Sequence, residues 1–232
     1  MKNKNQFSTF NRIILPAVLV FVTAFSAQAQ KRDAEDWSIA DYIENLPEKY
    51  KTFEGDFSSP SKETTVIDES NGYAAYLNNL PAPDSNYQPY PMFEMALFKS
   101  KTKPPLLVVS NMKSDSACNE YETFFLRRVG SKWTQVKREV LPPLDLKMFW
   151  DAPQSAARVL KIVNGESPVT YHFEPPRAGT RMKVSLEICE YVALSKEDTP
   201  PATAQELFKL IESAKPIYLE WDKQKGKFYF AK

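Results

Sequence analysis

The sequence predicts an α+β fold: mainly antiparallel β-hairpins forming one or two sheets, with an early helix and a late helix packed on them. Three observations lead there. Most of the six glycines fall between runs of β-branched and aromatic residues, where tight turns need positive φ. Several of those runs alternate apolar and polar side chains. Two other segments carry the 3.6-residue apolar period of helices.

The elements follow in order. Ser38 precedes an apolar stripe at Ile39, Tyr42, Ile43 and Leu46, and Asp41 stands three residues after it, as a capping box requires; Pro47 limits this first helix. Asn71-Gly72 separates a strand at 64–67 from one at 73–77. The segment from Asn79 to Pro91 is rich in Pro, Asn and Tyr and reads as a long loop. Phe93 to Lys99 and Leu106 to Ser110 read as strands joined around Pro104-Pro105. Gly130-Ser131-Lys132 turns the run 124–129 into 133–136, and Asn164-Gly165 follows a strand expected at 159–163. In 169–174, Val169, Tyr171 and Phe173 would face one way and Thr170, His172 and Glu174 the other. Met182, Val184, Leu186 and Ile188 share the apolar face of a further strand, half-buried as in a sheet with one wet side. Thr203 opens the late helix, with Glu206 at the capping-box position and Leu207, Phe208, Leu210 and Ile211 on its apolar face. Lys225-Gly226 joins the last hairpin, 217–221 with 227–230. Pro-Pro pairs fall between these runs, and the stretch from Leu141 to Pro153 is the place for an internal boundary, should the chain divide.

The first 29 residues read as a cleavable export signal. Lys2, Lys4 and Arg12 form a basic start, Ile13 to Phe25 a short apolar run, and Ala27-Gln28-Ala29 a small-x-small cleavage site. Thirteen residues fall short of the roughly 20 that a spanning helix needs. The expected mature chain is 30–232, soluble, and periplasmic or secreted. It loses three of the 30 basic residues, leaving 27 against 29 acids. Near-neutral, mixed charge gives no footprint for nucleic acid and no basic face for anionic membranes. Export makes a Cys118–Cys189 disulfide chemically permissible, while two free thiols remain the alternative.

Absences narrow the chemistry. The chain holds one histidine, no Gly-x-Ser-x-Gly elbow, no phosphate-binding glycine loop and no dinucleotide fingerprint, so no cofactor is expected. His172 and Glu174, on one strand face, could share a metal or a proton; a plain polar strand face explains them as well. Tyr87 and Tyr90, set among prolines, offer flat aromatic area suited to peptide or sugar contact, or pin their loop to the sheet. Among the acids, Asp68, Glu69, Glu94, Glu120, Glu122 and Asp222 could supply the two carboxyls of a glycosidase, whose separation is a spatial matter. The expectation is an exported, non-enzymatic protein that binds a protein or glycan partner. A carboxylate-dependent hydrolase of an extracellular polymer and a structural envelope component are the alternatives.

Overall fold

Among the described residues, ten antiparallel strands form two sheets, and each strand pairs with a neighbour in sequence. The computed structural model describes residues 36–51, 65–78, 90–114, 119–163, 169–188 and 201–232. The larger sheet runs in the order β1 (Thr65–Asp68), β2 (Tyr73–Asn78), β3 (Tyr90–Phe98), β4 (Leu106–Ser114), β5 (Asn119–Val129), β6 (Lys132–Gln135). The smaller runs β7 (Val169–Glu174), β8 (Arg181–Ile188), β9 (Ile217–Asp222), β10 (Lys227–Phe230). Four α-helices accompany them among the described residues: α1 (Ile39–Asn45), α2 (Lys137–Val140), α3 (Pro153–Val163) and α4 (Pro201–Glu212).

The α+β expectation therefore holds, with its two sheets and its early and late helices. The turns sit where glycine permits them: Gly72, Gly130 and Gly226 all have positive φ. At α1 the capping box forms in both directions, Ser38 N–H donating to Asp41 and Asp41 N–H to the Ser38 hydroxyl.

The central strands of the large sheet are buried on both sides, which is why Leu106-Leu107-Val108-Val109 is an unbroken apolar run. One face carries Ala74, Phe93, Met95, Leu107, Val109, Phe124 and Leu126 and is covered by Ile39 and Tyr42 of α1, by Leu46 just past its end and by Tyr50. The opposite face carries Tyr73, Ala75, Ala96, Phe98, Val108 and Phe125. It shares a second core with Phe173, Met182, Val184, Leu219, Trp221 and Phe228 of the small sheet and with α3 and α4.

Three expectations need correction. Residues 159–163 are not a strand: they end helix α3, whose buried side chains Ala156, Val159 and Val163 recur at helical spacing. Pro153, which cannot donate a backbone hydrogen bond, suits the first helical turn and starts this helix. Pro201 does the same for α4, which begins two residues before Thr203; Glu206 does not cap it, because its carboxylate is held by Arg158 at 2.6 and 2.7 Å. The expected loop 79–91 overruns its end, since Tyr90 and Pro91 already pair with Asn78 and Leu77 across β2 and β3.

The two sheets are joined at the turn of the last hairpin. The Lys223 carbonyl accepts from Lys101 N–H at 2.9 Å, and the Gln224 carbonyl from the Thr102 hydroxyl at 2.8 Å. Trp221 Nε1 donates to the Lys99 carbonyl at 2.8 Å, and Arg127 Nη2 to that of Gly226 at 2.6 Å. No helix among the described residues is long and apolar enough to cross a membrane.

Candidate functional site

The far end of the inter-sheet seam is polar. Strand registry sets Ala75, Glu94, Ser110 and Thr123 side by side across β2, β3, β4 and β5, interrupting an otherwise apolar face. The Ser110 and Thr123 hydroxyls lie 3.4 Å apart. Glu94 is only 7% exposed, and its Oε2 is buried with no hydrogen-bond partner. Burial, and then the negative charge of Glu174, push its carboxyl up to about 8. Burial and the Glu94 charge together raise the Tyr73 phenol above its ordinary range.

Strands β7 and β8 supply the facing groups. His172 stands opposite Ser185, and Glu174 opposite Lys183. Glu174 Oε1 accepts from Lys183 Nζ at 2.7 Å and from the Ser185 hydroxyl at 3.1 Å. His172 Nδ1 lies 3.5 Å from Glu187 Oε1 and 4.0 Å from Glu174 Oε1. Its ring stacks on that of Tyr121, centroids 3.6 Å apart.

Tyr121 also lines a groove of about 470 Å³ between β5 and β7. Thr123, Gln135, Lys137, Thr170 and Tyr171 contribute to its walls, as does Glu122. Lys137 Nζ is held 5.1 Å above the Phe173 ring, and partial burial lowers its ammonium below the ordinary range. Burial, and then Asp145, raise the Tyr171 phenol. A second groove, of about 300 Å³, lies between α1, the β1–β2 turn and residues 179–180; Trp37 and Trp221 are in its wall. Neither offers an open aromatic face: Arg128 sits 3.7 Å over Trp37, and Trp221 is 4% exposed.

The arrangement limits the chemistry. Ser185 spends its hydroxyl proton on Glu174, and the imidazole Nδ1 lies towards Glu187, so no serine–histidine relay is assembled. Lys183 already neutralises the Glu174 oxygen that a metal would need, and no group of three potential ligands capable of holding a metal occurs among the described residues. Glu94 is nearly enclosed, its burial favours the protonated form, and it lines neither groove.

The structure thus brings His172 and Glu174 together, as their spacing on one strand face implied. Of the five acids whose side chains are described, Glu94 is the buried one. Asp68 and Asp222 are occupied in turns: Asp68 accepts from Asn71, Ser70 and Arg177, and Asp222 from Gln224 and Lys225. Glu69 is exposed in the β1–β2 turn and Glu122 lines the groove. Tyr87, Cys118 and Cys189 lie outside the described residues, as do the side chains of Tyr90 and Glu120. Sequence reasoning passed over Tyr121, Lys137 and Tyr171. The readable hint was polar interruption: Ser110 and Thr123 break apolar strands at the same registry row as Glu94.

No family model matches this sequence, and no curated protein does. Among solved structures it is similar to a domain of an uncharacterized protein from Porphyromonas gingivalis, at 11% identity and a TM-score of 0.39. That similarity covers 60% of this chain and 65% of the other, so the match spans just under two thirds of that domain.

Proposed function

We propose that the chain is an exported, non-enzymatic binding protein that holds a protein or glycan partner in the groove between β5 and β7. The observation that carries this reading is the character of the groove wall. Two tyrosines, two threonines and a glutamine offer aromatic area and hydrogen bonding, and Lys137 and Glu122 add one charge of each sign. Such walls suit recognition, because rigid aromatics give contact area at low entropic cost and the hydroxyls set orientation. The leader at residues 1–29 supports export.

A photo-crosslinking residue placed at Gln135 in the exported protein tests the reading. It should yield a discrete adduct that Tyr121→Ala or Lys137→Glu abolishes, while the same probe at Tyr229 gives none. Adducts equal at both positions, or absent from Gln135 under conditions where the protein is folded, would sink it. The same cells, fractionated, should hold the protein outside the cytoplasm with a mass that begins at Gln30. Recovery of the whole pool in an insoluble envelope lattice would favour a structural component.

One observation favours hydrolysis as the second reading. Glu94 is held as a neutral acid beside a Glu174 that is paired with Lys183, and two carboxyls in contrasting environments are the usual acid–base arrangement. Against it stands the enclosure of Glu94, which leaves a polymer no access. Release of reducing ends from an envelope polysaccharide, abolished by Glu94→Gln, would establish it.

A further inference from the structure

Glu94 is an acid in the wrong place for a charge. Its neighbours provide no free cation among the described residues. Tyr73 from β2 and the Ser110 hydroxyl from β4 flank it, and Thr123 lies one strand beyond. From β7 comes Glu174, with His172 beside it, and from β8 come Lys183 and Glu187. Lys183 is committed to Glu174 at 2.7 Å, and Arg177, whose charge reaches Tyr73, is committed to Asp68 at 3.2 Å. A carboxylate here would be buried, missing at least one hydrogen bond, and next to a second carboxylate. Such a charge costs several kcal/mol unless something moves.

What can move is set by how the seam is fastened. Its turn end is tied by hydrogen bonds from Trp221, Thr102 and Arg127 to backbone carbonyls. Its β7 end rests on ring contacts, Phe125 against Phe173 and Tyr121 against His172, and, just past the strand, on the solvent-exposed Arg177 bonded to Asp68 of β1; β7 is the last strand of its sheet.

We propose that Glu94 is a proton-operated latch on the β7 end of the inter-sheet seam. Protonated, its carboxyl is a neutral polar group that the seam encloses. Loss of the proton to solvent leaves an unpaired negative charge beside Glu174, and β7 with the start of its sheet lifts from β3–β5 to admit water. The environment places this change near the top of the physiological pH range, with the carboxyl at about 8.

Hydrogen exchange on the mature chain at about pH 6 and about pH 9, corrected for intrinsic rates, tests the latch. Protection of the β7 amides should fall about tenfold or more at the higher pH, while the amides of β9 and β10 keep theirs. Glu94→Gln should make β7 protection independent of pH. Glu174→Gln should move the transition to lower pH, because the repelling charge is gone. Equal pH dependence in wild type and Glu94→Gln would overturn the proposal, and so would loss spread evenly over both sheets. If Glu94→Gln fails to fold, the wild-type protein still decides: its urea midpoint should fall between pH 4.5 and about 8, and a flat profile refutes the latch.

Discussion

One methyl group should distinguish two turns that the backbone treats alike. Gly130 and Gly226 have φ of +58° and +61°, so alanine at either carries a similar left-handed penalty of about 1 kcal/mol. A Cβ at Gly130 meets nothing within 4 Å, whereas one at Gly226 would lie 2.9 Å from Ser100 Oγ and 3.1 Å from Arg127 Nη2. Gly226→Ala should therefore cost about 1–3 kcal/mol more than Gly130→Ala in urea unfolding, and equal losses would mean that the last hairpin is not tightly seated. At the other end of the described chain, Ser38→Ala should cost about 1 kcal/mol and Ser38→Gly only a few tenths. Far-ultraviolet melts of the two variants compare them directly. Ser38 was legible because both halves of its capping box lie within four residues. Glu94 was not: in Phe93-Glu94-Met95-Ala96 the alternation is plain, but nothing local says that a second sheet closes over the glutamate's face.

The hairpins were legible for the same local reason. Alternation, a glycine and two short strands are all contained in about fifteen residues, and no distant segment needs to be known. Helix α3 shows how that reasoning fails. Val159, Leu160, Ile162 and Val163 are typical of strands, but tertiary packing outweighs propensity here: burial recurs at Ala156, Val159 and Val163, and Leu160 is 50% exposed. A strand would have set Leu160 and Ile162 on one face. Leu160→Lys should accordingly change stability by less than about 0.5 kcal/mol, while Val159→Ala costs about 1–3 kcal/mol. A large loss at Leu160 would contradict the helix. The groove was illegible at this scale, since its walls come from 121–124, 135–137 and 169–171 and meet only when the sheets dock.

Over the whole molecule, ionisation should give a stability optimum on the acid side of neutrality. Glu94 is raised from 4.5 to about 8, so between those values the native state holds a proton that the unfolded state has released, and stability falls as pH rises. For this enclosed group the total is up to about 5 kcal/mol. Asp68 moves oppositely: hydrogen bonds from Asn71 and Ser70, and then Arg177, hold it below its ordinary 3.8, so its contribution is present above that value and lost as pH falls further. Asp222 is lowered likewise by the Lys225 and Gln224 amides. Urea midpoints across pH should therefore peak near pH 4.5, the alkaline decline disappearing in Glu94→Gln and the acid decline shrinking in Asp68→Asn.

The pairing of every strand with its neighbour in sequence also has a kinetic meaning. Hairpins close quickly because little chain entropy is lost in meeting a near neighbour. The bonds from Thr102 and Arg127 to the last turn join residues 122 and 99 positions apart, so they belong to the assembly of two preformed halves. Thr102→Val and Arg127→Met should thus leave the refolding rate nearly unchanged and quicken unfolding, with φ-values near zero. The protein's resistance to coming apart would then be set at one small turn, long after its sheets have formed.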